Sequence, residues 1–330
     1  MTDYPAKRGG WRERQVRQKW RDLAAVFITA LLLLAIFNGF WKGLSAKKFL
    51  GDSSWDGRTS LTVALFTKPA SLAIYQPEPK RLVFLKLNED NFFPTGTASK
   101  PLAKLSEIAA KNEGSQLTRS LSLAFGSAVE KYLFFEEEQK LGKEEAIGLF
   151  TKFAAITTPL AILSGKIEGG LGDTNIARYD LFKLWWSLKS LSVERLELVD
   201  LSSLREEVID ASGQKVLGVD DAALHLLIAK YLEISKFSQQ DVSISVENAS
   251  GVAGAGQLGA DFIGAVGGRV QSLTAVAIIS ETTRVLTSDK DSDAAFYLAN
   301  LFNCDINSSP ETGNRLKVVI GRDFARRYFQ

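Results

Sequence analysis

The chain has 330 residues, of which 45% are hydrophobic and 24% charged, and its formal charge is +2. The first 22 residues carry seven Lys or Arg against three acids, which leaves −2 for the rest and excludes a basic nucleic-acid footprint outside that tail. Cys304 and His225 are the single cysteine and histidine, which excludes an intrachain disulfide and a thiolate metal cluster.

Residues 23–41, LAAVFITALLLLAIFNGFW, form a 19-residue run without charge. As a helix it spans about 28 Å at 1.5 Å per residue, close to a hydrocarbon core. Trp20 and Trp41 flank it, as amphipathic rings at headgroup level do. The cationic tail before it predicts residues 1–22 in the cytoplasm and everything after Trp41 outside, a single-pass protein of the cell membrane. A cleaved signal peptide fits less well: its apolar region is shorter, and Leu44-Ser45-Ala46 is a poor cleavage site. The tail sets topology and could also touch anionic headgroups.

About 290 residues remain, enough for two ordinary domains. Leu61–Phe66, Ser71–Tyr75 and Leu82–Leu87 read as strands separated by Lys68-Pro69 and by Pro77 and Pro79. Helical patterns follow at about 100–111, 115–125 and 143–153, with a short strand at 132–135 before the last. Asp173 or Thr174 is placed to cap a helix running to about Leu191, and Arg195–Val199 is a further strand. This alternation predicts an α/β layered domain over 57–200.

Residues 201–240 read as a linker with one helix, Ala222–Leu232, on which His225 is a surface or boundary side chain. From 241 to 330 the predicted order is β-α-β-β-α-β: strands at 242–246, 269–276, 282–286 and 316–321, helices at 254–266 and 291–302. That is a split βαβ sandwich, one sheet covered by two helices.

Gly254-Ala255-Gly256-Gln257-Leu258-Gly259 satisfies G-x-G-x-x-G. A dinucleotide fold needs the first glycine directly at the strand end and an acid about 20 residues on. Here six residues intervene after Glu247, and Glu281 comes 27 positions after Gly254. The glycines are better read as a turn and a close helix-to-sheet approach. A helix N-terminus beside Asn248, Ser250, Gly251 and Gly254 remains a candidate anion site for an envelope polymer.

Strand Ser243–Glu247, then Asn248-Ala249-Ser250-Gly251-Val252-Ala253-Gly254, Thr282–Val285 and Val318-Val319-Ile320-Gly321-Arg322-Asp323-Phe324 resemble the LytR C-terminal domain. Its pattern is a strand, N-x-[ST]-G-x-x-G, a helix, and a closing V-x-x-G-x-D-[FY]. That domain commonly follows a LytR–CpsA–Psr (LCP) catalytic domain in membrane-anchored, outward-facing proteins. LCP enzymes transfer a polyprenyl-pyrophosphate-linked glycopolymer onto peptidoglycan. Residues 57–200 resemble the LCP layout faintly. Gly57-Arg58-Thr59-Ser60 sits where R-[ST]-D-[ST] is expected, and Leu85–Asp90 where S-I-P-R-D is expected.

On that alignment Arg58 and Asp90 are retained, Ser60 replaces the aspartate and Glu89 replaces the arginine. Phosphoryl transfer depends on positioning and on cations around the phosphate oxygens, so Glu89 would repel where a guanidinium should clamp. The later R-x-R pair has no counterpart between Lys131 and Arg178. Two alternatives stay open: Arg81, Arg119 or Arg178 converges on the site instead, or 57–200 is an unrelated α/β domain.

No G-x-S-x-G elbow or EF-hand spacing occurs, and Glu136-Glu137-Glu138 and Glu144-Glu145 read as solvated faces. Of Trp185-Trp186 at least one belongs to the core. The sequence therefore predicts a non-catalytic, extracytoplasmic envelope protein that binds or organises peptidoglycan or wall glycopolymer, or scaffolds envelope proteins, with no cofactor and no nucleic acid. An LCP-type transferase using Mg²⁺ is the first alternative, and a pure protein-interaction module the second.

Overall fold

The computed structural model describes residues 53, 55–97, 101–110, 113–135, 139–164, 171–210, 212–232, 242–309 and 315–329. The expected transmembrane segment 23–41 and its basic tail lie outside them. Among the described residues no helix is long and apolar enough to cross a membrane. The chain divides at Asp52, and Ser53–Gln330 form one compact unit.

The first sheet has six strands: β1 Leu61–Phe66, β2 Ser71–Pro77, β3 Lys80–Lys86, β6 Lys131–Phe135, β7 Leu171–Thr174 and β8 Leu196–Asp200. Their order is β7-β6-β1-β2-β3-β8. β1–β2–β3 is an antiparallel meander, with β6 and β8 added parallel at its two edges. The central strands are apolar almost throughout because both faces are covered. Alternation sends Ala64, Leu72, Ile74, Val83 and Leu85 to one face, against α1 (Leu105–Ala110), α2 (Gly114–Phe125) and α6 (Asp221–Leu232). Val63, Leu65, Ala73, Tyr75 and Phe84 go to the other, against α3 (Lys143–Phe153), α4 (Thr158–Ser164) and α5 (Arg178–Leu188). The result is a three-layer α/β/α domain.

Several expectations need correction. The helix thought to begin at Asp173 or Thr174 starts at Arg178, because 171–174 is β7, antiparallel to β6. The helix expected at 100–111 is shortened by the small hairpin of β4 (Phe92–Pro94) and β5 (Leu102–Lys104). The segment read as a linker holds a hairpin, β9 Glu206–Ile209 with β10 Lys215–Gly218, and then α6. Leu224, Ile228 and Tyr231 of α6 are buried in the core of the first domain. It is therefore part of that domain's helical layer.

The C-terminal sheet contains β11 Ser243–Asn248, β12 Arg269–Ala275, β13 Arg284–Thr287, β14 Asp305–Ser308 and β15 Leu316–Ile320, in the order β12-β11-β15-β13-β14. α7 (Ala255–Ala265), α8 (Asp293–Phe302) and α9 (Arg322–Phe329) share one core with its inner face, built on Phe262, Phe302, Phe324 and Tyr328. The predicted β-α-β-β-α-β order is present, with β14 inserted before the last strand and α9 added after it. Tyr297 and Leu301 of α8 pack against both domains' cores, which joins them into one body.

Candidate functional site

An apolar cleft of about 110 Å³ lies between the first sheet and the layer of α3 and α5. Val63 and Leu65 of β1, Phe84 of β3, Phe150 of α3, and Leu181 and Leu184 of α5 line it. Lys152 is its one charged lining residue, and no arginine lines it among the described residues. A hydrocarbon chain is the ligand such a wall suits, at about 0.8 kcal/mol per buried methylene.

The four LCP-derived positions do not meet. β1 begins at Leu61, opposite Tyr75, which in turn faces Leu82 at the start of β3. Arg58 and Ser60 thus lie at the end of the sheet where β3 starts, and Glu89 and Asp90 at the end where it finishes. A strand's length, roughly 20 Å at 3.3 Å per residue, separates the pairs. Arg58 is exposed, and its N–H donates to Asp56 Oδ1 at 2.8 Å. Ser60 Oγ is buried without a partner. The Glu89 carbonyl accepts from Ser106 N–H at 3.1 Å, and Asp90 N–H donates to Asn88 Oδ1 at 2.9 Å.

Register explains the separation. The strand that runs antiparallel to β3 and starts beside its end is β2, where Ser71 faces Lys86 and Leu87 N–H donates to the Ala70 carbonyl at 3.4 Å. Continued past that pair, the same register sets Thr67-Lys68-Pro69-Ala70 against Leu87–Asp90, one strand later than the sequence suggested. That tetrapeptide has neither arginine nor carboxylate. Its hydroxyl, Thr67 Oγ1, is bonded to Ser71 Oγ at 2.6 Å.

The other arginines do not converge either. Arg81 donates to Gln76 and to the Lys230 carbonyl and lies 4.8 Å from the centre of the Tyr231 ring. Arg119 on α2 donates to the Arg327 carbonyl at 3.0 Å. Arg178 opens α5, across the sheet from both. His225 is half-buried beside Gly126, and no cluster that could hold a metal occurs among the described residues.

In the C-terminal domain Asn248, Ser250, Gly251 and Gly254 do come together, but their polar atoms turn inward. Asn248 Oδ1 accepts from Ser250 N–H at 3.1 Å and Ser250 Oγ–H at 2.6 Å, while Asn248 Nδ2 donates to the Val252 carbonyl at 2.9 Å. Gly251 and Gly254 have φ of 74° and 82°, the left-handed region that glycine adopts without strain. The loop is a self-bonded turn that hands β11 to α7. Gly259 lets α7 lie against Ile320, since a Cβ there would sit 2.8 Å from its Cδ1.

A second motif closes the same domain. Asp323 Oδ1 accepts from Thr283 N–H at 2.8 Å, Thr283 Oγ1–H at 2.7 Å and Phe324 N–H at 2.8 Å. Thr283 Oγ1 in turn accepts from Gly321 N–H at 3.0 Å. Arg327 then ties α9 to the first domain, pairing with Glu130 at 2.9 Å and donating to the Phe302 carbonyl.

A family model described as LytR cell envelope-related transcriptional attenuator matches residues 241–324, so the chain carries a LytR C-terminal domain behind an α/β/α domain. No curated protein matches the chain. Solved structures of the LCP family are similar to it at low identity. The Lin1025 protein of Listeria innocua is 11% identical, covers 54% of this chain and 100% of its own, and gives a TM-score of 0.37. TagV of B. subtilis is 11% identical over 53% of this chain and 98% of its own, at 0.37. The LytR-CPS2A-psr family protein YwtF (TagT), solved with octaprenyl pyrophosphate lipid bound, is 10% identical over 54% and 92%, at 0.36.

Proposed function

We propose that this is a membrane-anchored, extracytoplasmic cell-envelope protein that holds an envelope lipid or lipid-linked wall polymer without transferring it. Its first domain receives the hydrocarbon part in the cleft beside β1, and its C-terminal domain organises the attached polymer or a partner protein. One observation carries the reading: an apolar cleft whose described lining has one lysine and no guanidinium group. Phosphoryl transfer requires several fixed cations around the departing pyrophosphate, and the positions meant to supply them are a strand apart. The LytR C-terminal match supports the envelope role, and the uncharged run at 23–41 supports the anchor.

The same cleft favours an LCP-type transferase as the second reading, since such an enzyme also needs a greasy wall for its lipid. Transfer separates the two. The full chain in detergent is incubated with radiolabelled lipid-linked glycopolymer, peptidoglycan and Mg²⁺. The binding reading expects retained lipid, no label on peptidoglycan, and loss of retention in Leu184→Trp, which fills the cleft. Label transferred to peptidoglycan overturns it.

A further inference from the structure

The outer side of the α4–α5 layer is apolar where a solvent face should be polar. Ile156 and Leu160 are 88% and 70% exposed, and Trp186 is 61% exposed, with Tyr179 and Phe182 also open. Tyr179, Phe182 and Trp186 fall at i, i+3 and i+7 of α5, one stripe along the helix. Trp185, between them and the core, donates its Nε1–H to the Ala155 carbonyl at 2.8 Å, which brings the Ile156 turn alongside. Segments 152–164 and 178–190 hold four cations, Lys152, Arg178, Lys183 and Lys189, against one carboxylate, Asp180; Lys183 is taken up by that carboxylate at 3.1 Å, which leaves three cations on the face. Lys189 Nζ lies 4.4 Å from the Trp186 ring centre and Lys183 Nζ 4.6 Å from that of Tyr179.

Aromatic rings and aliphatic side chains edged by lysines are the composition of a membrane–water interface, where the rings sit at headgroup level and the ammonium groups meet lipid phosphates. The chain also arrives at this helix. Ser53 Oγ–H donates to Asp180 Oδ1 at 2.6 Å and accepts from Lys183 Nζ at 2.7 Å, so the described unit begins on α5 itself. From Trp41, the end of the uncharged run, to Ser53 are 12 positions, which reach at most about 40 Å. We infer that the α4–α5 face lies down on the bilayer that holds the chain's own anchor, inserting Leu160, Phe182 and Trp186 at the interface and turning the lipid-binding layer toward the membrane. The inference rests on the anchor proposed above.

The test uses the full chain reconstituted into phosphatidylcholine–phosphatidylglycerol bilayers with brominated acyl chains. Trp186 is exposed, so Trp186→Phe leaves the core intact, and the difference between the two chains isolates its emission. The parent is expected to show greater fractional quenching by bromolipid than the variant, and Trp186 to be shielded from aqueous acrylamide. Equal bromolipid quenching of the two chains, with Trp186 open to acrylamide, overturns the docking. A carbonate wash of the same vesicles separates this from failure of the anchor: a chain retained in the membrane but undocked refutes only the inference, and a chain stripped off refutes both.

Discussion

Thr283 and Asp323, 40 residues apart, are joined through a single carboxylate oxygen that takes both the N–H and the hydroxyl of the threonine. This pair fixes the start of β13 to the turn between β15 and α9, and it gives the closing G-x-D-F motif a structural meaning. Thr283 is 3% exposed, so its donors have no water to replace the carboxylate. Asp323→Ala is expected to destabilise the protein by about 1–3 kcal/mol, the usual result of stranding buried donors. Asp323→Asn, which keeps an acceptor, should lose less. Urea unfolding of the two variants checks the order, and equal loss in both would contradict it.

Gly321 shares that corner. A Cβ there would lie 2.4 Å from the Thr282 carbonyl carbon and 2.7 Å from Thr283 N, both backbone atoms that cannot step aside. Gly321→Ala should lower stability by about 1–3 kcal/mol by overpacking. A thermal melt unchanged from the parent would show that the corner has slack.

Arg327 binds the domains. It pairs with Glu130 before β6, and each side chain is only about a third exposed. Arg327→Ala removes this pair and the bond to the Phe302 carbonyl, and about 1–3 kcal/mol of stability should go with them. Glu130→Gln leaves the second bond and should be milder. Limited proteolysis is the direct readout, with cleavage between the domains expected to rise in Arg327→Ala first.

Burial, with the Asp323 carboxylate adding to it, pushes the Cys304 thiol up to about 12. An unfolded chain loses that proton near pH 8.5. Between about 8.5 and 12 the unfolded state therefore binds fewer protons than the folded one, and stability falls as pH rises through that window. Cys304→Ala should lose less stability across it. Cys304 is half-buried, and with its pKa raised it holds little thiolate at neutral pH. It should react with a disulfide reagent more slowly than a free cysteine, and an equal rate would contradict the shift.

Much of the fold was legible because apolar runs mark strands buried on both faces, as for β1, β2 and β3, and alternation marks a strand buried on one, as for β11. The elements missed are those whose signal is polar. The strands Glu206–Ile209 and Lys215–Gly218 are mostly exposed, and β14 spells Asp-Ile-Asn-Ser. The helix Arg322–Phe329 has four charges among eight residues and buries only Phe324, Ala325 and Tyr328. The site misled for a different reason. Three consecutive apolar strands precede Glu89, and spacing alone does not say which pair forms the hairpin that brings two motifs together. Only register shows that Thr67–Ala70, rather than Arg58–Ser60, faces Leu87–Asp90. In the Asn248 loop the residue types suited to gripping an anion are also those that bond their own turn.

The cleft beside Val63, Phe84 and Leu184 is proposed to hold a hydrocarbon chain without a pyrophosphate clamp. Calorimetric titration of the full chain in detergent with a long-chain polyprenol and with its pyrophosphate, with and without Mg²⁺, measures this directly. Nearly equal affinities for the two, both reduced at least tenfold by Leu184→Trp, are the predicted result. A pyrophosphate that binds more than tenfold tighter than the alcohol, in a manner that requires Mg²⁺, would contradict it.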